Sequence, residues 1–216
     1  MTSEHQRPAR IGAVLLAAGS SRRAGPSNKL LHPIEGEAMI HRIARVVLTA
    51  GLTPCIVVLG NEAARVEAAL ADLAGPDLRF VVNEAHSEGM GRSIAVGIDA
   101  LTTEPELDGA AIVLGDMPYL RVEDLVALCA AFRSLTPAPI VAPEAGEGDA
   151  RRLGNPVLWP RPYFDRLAAL NGDRGARQLL MASPQAVLRI PILHDGVLRD
   201  IDCLPDETKA PASQRE

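Results

Sequence analysis

The chain has 216 residues, 47% of them hydrophobic and 23% charged, an ordinary globular composition with enough apolar material for one sizeable core. A formal charge of −5 argues against a non-specific nucleic-acid binder, which would be basic, although a cationic pocket can sit on an acidic body. Aromatics at 3% argue against a base-stacking platform, and Cys55, Cys129 and Cys203 supply neither a metal-type spacing nor a disulfide framework.

Residues 1–10 read as a loose polar leader without an apolar signal core, and residues 205–216 as a frayed tail. Residues 11–204 are left as a single expected domain. No apolar run approaches the length of a membrane span, and a reducing cytoplasm suits the cysteine usage. Ile11 to Leu16 is the first predicted strand. Apolar residues at Met39, Ile40, Ile43, Val46 and Val47 predict a helix over 38–50, ended by Gly51. Cys55–Leu59, Leu78–Val82, Ala110–Leu114 and Pro139–Ala142 read as further strands. Residues 62–73, 93–101 and 122–132 read as helices, the last with Glu123 and Asp124 in its first turn. Beyond these, 155–159, 186–190 and 197–201 are expected as short strands, and 163–170 and 176–181 as helices. Cys55 and Cys129 fall in apolar segments and read as small core residues. Apolar strands alternating with helices predict an α/β fold, a mostly parallel central sheet covered on both faces. The Pro-, Gly- and Glu-rich stretch 137–148 is the candidate mobile loop over a site.

The first strand breaks into Ala17, Ala18, Gly19, Ser20 and Ser21. Arg22, Arg23, Gly25 and Lys29 follow. Small residues let a backbone approach a ligand and aim several N–H groups at it, while Arg23 and Lys29 bring positive charge to the same place. That combination suits a polyphosphate. No Gly-Lys-Ser/Thr follows, so this is not a Walker loop, and the three-glycine dinucleotide spacing is absent. Gly115-Asp116-Met117-Pro118 follows the fourth strand, where open parallel sheets place their ligand crevice. An aspartate there suits a divalent ion, because magnesium takes one or two carboxylates plus phosphate oxygens. On these four residues alone, an Asx turn explains Asp116 equally well.

The segment Leu16-Ala17-Ala18-Gly19, Arg23, Gly25, Lys29 and Leu30 resembles the signature of nucleotidyltransferases that share a glycosyltransferase-A-like fold. It departs at Ala24, where that family usually has Met. The resemblance implies a three-layer Rossmann-like enzyme in which Arg23, Lys29 and Asp116 are catalytic and Asp116 binds Mg2+. It adds Asn83, Gly89 and Ser93, of Asn83-Glu-Ala-His-Ser-Glu-Gly-Met-Gly-Arg-Ser93, to Leu16, Ala17, Ala18 and Gly19 as nucleotide-binding residues. A flexible loop ending in a Ser N-cap is the plainer reading of the 83–93 segment. Asp200-Ile201-Asp202 resembles the segment that completes the metal site. Alternation would put Asp200 and Asp202 on one strand face, and Asp202 is the candidate second ligand.

Closer likeness is to the molybdenum cofactor cytidylyltransferase branch. It rests on Gly154-Asn155-Pro156 and on Gly172-Asp173-Arg174-Gly175-Ala176-Arg177. It implies that Asn155, Gly172, Asp173, Gly175 and Arg177 bind the acceptor, a helix N-terminus with arginines suiting a phosphate. Asp173 as a plain N-cap beside solvated arginines is the alternative. Ala17-Ala18-Gly19 implies CTP, since relatives using GTP typically carry Ala-Gly-Gly. The implied reaction transfers CMP to the phosphate of molybdopterin, with a molybdenum hydroxylase receiving the product. Another phosphorylated acceptor and a non-catalytic maturation factor are the alternatives. His32, His41, His86 and His194 need no catalytic part in this scheme.

Overall fold

The structure is a computed structural model that describes residues 7–19, 28–173 and 175–201. Arg23, Gly25, Arg174, Asp202 and Cys203, with the outer leader and the tail, lie outside the described residues. Ten strands are present among the described residues: β1 (Ile11–Ala17), β2 (Pro33–Ile34), β3 (Glu37–Ala38), β4 (Cys55–Leu59), β5 (Leu78–Val82), β6 (Gly109–Leu114), β7 (Ile140–Ala145), β8 (Arg152–Leu153), β9 (Val157–Pro160) and β10 (Val187–Pro191). The helices are α1 (Met39–Thr49), α2 (Ala63–Ala68), α3 (Met90–Thr102), α4 (Val122–Arg133), α5 (Phe164–Ala168) and α6 (Arg177–Ala182).

Eight strands form one sheet in the order β10-β7-β9-β6-β1-β4-β5, with β8 paired to β7, while β2 and β3 form a separate hairpin. The pairs β1–β4, β1–β6, β4–β5 and β7–β10 are parallel. The expected α/β architecture with a mostly parallel sheet is therefore present. Its exceptions are β9, antiparallel to both β6 and β7, and β8, antiparallel to β7.

The run in β1 is apolar throughout because both faces are covered. Ile11, Ala13, Leu15 and Ala17 join the core under α1 and α4, whereas Val14 points into the core under α3 and α5. Cys55, Val57 and Leu59 of β4 repeat the first set, and Ile56 and Val58 the second. Burial pushes the Cys55 thiol up to about 12 and the Cys129 thiol up to about 11, so both behave as small core residues, as expected. Helix α1 buries Met39, Ile40, Ile43, Val46 and Val47, and Gly51 follows it at φ +76°. Among the described residues no helix is long and apolar enough to cross a membrane.

Three expectations fail. Residues 137–148 do not form a mobile loop: Ile140–Ala145 is β7, buried except at Glu144 and paired on both sides. Residues 197–201 do not form a strand. Asp195–Leu198 is a 3-10 turn, so strand alternation cannot put Asp200 and Asp202 on one face. The turn forms there because Gly196 packs against the Tyr119 carbonyl, where a Cβ would lie 2.5 Å from the oxygen. The helix expected over 62–73 stops at Ala68, and single turns continue to Leu73. At the other end, Arg7 and Arg10 are tied to Asp108 and Glu106.

Outside the sheet, His41 of α1 bonds Glu37 through Nδ1 (2.7 Å) and Asp72 through Nε2 (3.0 Å). The Arg45 hydrogen bond, helped by His41, holds Glu37 down to about 2. Burial opposes a charged His41, but the bonds to Asp72 and Glu37 outweigh it and raise the imidazole above its ordinary 6.5.

The raised His41 contributes stability that is complete below pH 6.5 and is lost as pH rises through its folded value. The lowered Glu37 contributes stability that is lost as pH falls from 4.5 toward about 2. In a thermal-melt series against pH, His41→Gln is expected to flatten the alkaline limb and leave most of the acid limb. A second expectation concerns α3, where a Cβ at Gly97 would lie 2.3 Å from Val14 Cγ1. Gly97→Val is expected to lower urea stability by about 1–3 kcal/mol. Gly75→Ala, with open space around it, is the control.

Candidate functional site

Register places the site. Leu16 of β1 pairs with Leu114 of β6, Ala17 with Leu59 of β4, and Leu59 with Val82 of β5. Four strands thus end level. The segments that follow, Ala18–Gly19, Gly60–Asn61, Asn83 onward and Gly115–Asp116, leave the sheet at one edge. Between β1 and β6 the strand order reverses direction, the position where open α/β sheets form their ligand crevice.

Lys29 Nζ and Asp116 Oδ2 meet there at 2.7 Å, with 14% and 20% of their side chains exposed. Lys29 opens a 3-10 turn, Lys29–Leu31, that Asn28 caps by accepting the Leu30 N–H on Oδ1, and Leu30 anchors the turn in the core. Asp116 is held by its neighbours' backbone. The Gly115 N–H donates to the Leu16 carbonyl (3.0 Å), and the Ile201 N–H donates to the Asp116 carbonyl (2.9 Å). The second bond brings the residue before Asp202 against Asp116 without a strand. Gly115 has no room for a side chain, since a Cβ would lie 2.8 Å from the Leu16 oxygen.

The 83–93 segment closes over the edge of β4 and β5. Asn83 and Ser93 are buried and bonded to one another, Nδ2 to Oγ at 2.9 Å, while Asn83 Oδ1 accepts the Ala85 N–H. Both amide functions of Asn83 are therefore engaged in shaping the loop. The N-terminus of α3 packs directly on the 171–175 segment. The Gly91 N–H donates to the Gly172 carbonyl (2.9 Å), and a Cβ at Gly89 would lie 2.4 Å from Gly172 C and 2.6 Å from Asp173 Oδ1. Gly175 lies against Met90. Gly172, Asp173 and Gly175 are thus joined to the 83–93 loop.

Asn155 sits elsewhere. Its N–H donates to the Val197 carbonyl at 2.9 Å, on the segment that runs on to Ile201 and Asp116. Arg177 is exposed at the start of α6, a helix of only six residues, too short to supply much dipole. The sequence reading missed Asn28, Gly60 and Ile201. Gly60 sits at the end of β4, where a Cβ would lie 2.8 Å from Ala18 Cβ and 2.7 Å from His86 Cβ; a glycine directly after an apolar strand was the available signal. For Ile201 no local signal exists.

Comparisons agree with this architecture. The description "MobA-like NTP transferase domain" matches residues 13–187. Nicotine blue oxidoreductase of Paenarthrobacter nicotinovorans is 31% identical over 196 residues, 89% of this chain and 92% of that protein. Purine catabolism protein PucB of Bacillus subtilis is 32% identical over 201 residues, 90% of this chain and 92% of that one. Among solved structures, Rv0371c of Mycobacterium tuberculosis superimposes with a TM-score of 0.75 at 27% identity, covering 91% of this chain and 94% of that chain. A form of the same protein in complex with manganese gives 0.68 at 26% identity, covering 86% and 90%. A CMP:2-keto-3-deoxy-manno-octonic acid synthetase complexed with CTP shares the fold at 16% identity, with a TM-score of 0.69 and 90% and 94% covered. With the strand-end loops, the Lys29–Asp116 pair and these likenesses in place, the chain belongs to the MobA-like NTP transferase family and has the glycosyltransferase-A-like nucleotidyltransferase fold.

Proposed function

We propose that the protein transfers CMP from CTP to the phosphate of molybdopterin and releases pyrophosphate. The observation that carries this reading is the Lys29–Asp116 pair at the β1–β6 crevice. A cation and a carboxylate held 2.7 Å apart there are what a metal-bound triphosphate needs on its two sides. A carrier that only hands on a cofactor has no use for such a clamp.

An oxygen of the acceptor phosphate attacks the α-phosphorus of CTP in line. The α–β phosphoanhydride bond breaks, and pyrophosphate leaves with the bonding electrons. The acceptor phosphate is already an anion at neutral pH, so no general base is needed, and catalysis rests on positioning and charge neutralisation. Lys29 holds the phosphate oxygens and stabilises the leaving pyrophosphate, with Arg23 assigned the same work. Ala17, Ala18 and Gly19 present backbone N–H groups. The loop shaped by Asn83 and Ser93 presents Gly89 to the base. Asn155, on the Val197 side, and Gly172, Asp173, Gly175 and Arg177, on the α6 side, are assigned to the acceptor.

Among the described residues no three His, Cys, Asp or Glu side chains converge as a preformed metal site. One carboxylate at the crevice fits a divalent ion that arrives with the nucleotide's own oxygens. Asp116 would hold such an ion, Mg2+ in this reading, with Asp202 as second carboxylate, and the ion would offset charge on the triphosphate. Two features support cytidine: the Ala17-Ala18-Gly19 sequence and the fold shared with a synthetase solved with CTP.

Pyrophosphate release, measured with magnesium, molybdopterin and either CTP or GTP, tests the reading. Release with CTP that disappears in Asp116→Ala is expected, whereas release with GTP alone would overturn the base assignment. On the scale of one lost oxyanion donor, about 3–4 kcal/mol, Lys29→Ala is expected to slow turnover roughly 10²–10³-fold. Near-normal turnover would remove Lys29 from the mechanism. Asn83→Ala strips a buried donor from Ser93 and an acceptor from Ala85. It is expected to lower urea stability by about 1–3 kcal/mol and to weaken CTP binding, read by calorimetry.

A further inference from the structure

Behind the turn that carries Asp116 lies a second cationic cleft, of about 230 Å³. Its floor is Pro118–Leu120, which directly follows Asp116 and Met117. Three arginines, Arg42, Arg121 and Arg199, surround it, against one acid, Asp195. They come from three places in the chain: α1, the residue before α4, and the stretch after the 195–198 turn. On a chain of net charge −5, that is a local inversion of sign.

The guanidinium groups of Arg42 and Arg199 are held in place without being used up. Arg42 donates Nε to the Pro118 carbonyl (3.0 Å) and Nη1 to the exposed Glu35 (2.8 Å). Arg199 lies 4.2 Å from the centre of the Tyr119 ring, and its pair with Asp195 is loose, 3.8 Å between side chains more than half exposed. Arg121 forms no ion pair among the described residues. One wall is fixed by a relay. His194 Nδ1 accepts the Gly196 N–H (3.0 Å), so Nε2 carries the ring proton and donates to Asp124 Oδ1 (2.9 Å). Asp124 also accepts the Arg121 N–H (3.0 Å) and does not line the cleft, so its charge stays with the start of α4.

Three arginines lining a single space of this size suit the oxygens of a phosphoryl group. We propose that this cleft binds a phosphoryl anion at a site apart from the Lys29–Asp116 pair. It opens beside α1 and α4, and neither Lys29 nor Asp116 lines it. Both walls grip the turn that carries Asp116. Arg42 bonds Pro118, and the segment holding Arg199 ends in the Ile201 bond to Asp116. An anion that draws Arg42 and Arg199 together therefore acts on the position of Asp116. The inference does not depend on the identity of base or acceptor.

Inorganic phosphate, and separately pyrophosphate, titrated into the metal-free full chain and followed by amide chemical shifts tests it. Saturable shifts are expected at Tyr119, Gly196 and Ile201, and they should survive in Lys29→Ala. The double variant Arg121→Gln/Arg199→Gln should weaken them at least tenfold while leaving any response at Ala18 and Gly19 intact. The unchanged remainder of the spectrum reports that the variant is folded. Tighter binding of pyrophosphate than of phosphate would assign the three guanidiniums to two phosphoryl groups, and equal affinity to one. Shifts confined to Ala18, Gly19 and Lys29, no shifts anywhere, or a Gly196 response unaltered in the double variant would each overturn the proposal.

Discussion

Lys29 and Asp116 lie 87 residues apart in the chain, and the rest of the site is arranged around their contact. They meet only because β1 and β6 run parallel in a register that ends the two strands together, and because Leu30 pins the lysine turn into the core. Both side chains are largely withdrawn from water, so each charge needs a partner. Losing one partner of a buried pair costs about 3–5 kcal/mol, and less where both retain some exposure, as here. The same withdrawal suits the pair to exchange partners. A phosphate and a divalent cation would each take one member, replacing one balanced arrangement with another.

Most of the scaffold was legible before any coordinates. β4 and β5 have the expected bounds, and the buried face of α1 follows from five apolar residues at helical spacing. Such runs carry their own signal because strands covered on both faces are apolar at every position. Direction carries no such signal. Val157–Pro160 reads as a buried strand either way round, and only the short connection from β7 through β8 forces it antiparallel. Segment 137–148 misled for a related reason: Pro137, Pro139, Gly146 and Gly148 flank, and Pro143 interrupts, a strand that pairs with β9 and β10. In 197–201 Val197 is buried and Leu198 and Ile201 are half-buried, but in a turn and the stretch after it, which alternation alone cannot distinguish from a strand.

The candidate site divides in the same way. Asp116 was readable as a candidate because it directly follows the end of β6, and Lys29 because it closes the run of small residues and arginines after β1. Asn83 and Ser93 were singled out by resemblance, but their bond to each other, which spans ten residues and shapes the loop, left no local signal. The 171–175 segment was read as an acceptor element on its own. Its backbone contact with Gly89 and Gly91 joins it to the loop assigned to the base, so whatever fills one reshapes the wall of the other. Such contacts depend on tertiary approach and leave only glycines as their trace in the sequence.

The reversed strand β9 divides the sheet into two blocks, one parallel throughout and the other parallel only in its β7–β10 pair. It is stitched to β6 by four residue pairs and to β7 by a single pair, Val141 with Leu158. β1, β4, β5 and β6 lie on one side of that seam, with the crevice and its charge pair; β7, β8 and β10 lie on the other. A sheet built this way can drift on its far side, accepting insertions, deletions and reshaped loops, while the register that brings Lys29 to Asp116 stays untouched. Loops on the β7 side can therefore be reshaped without shifting the β1–β6 pairing on which the charge pair depends.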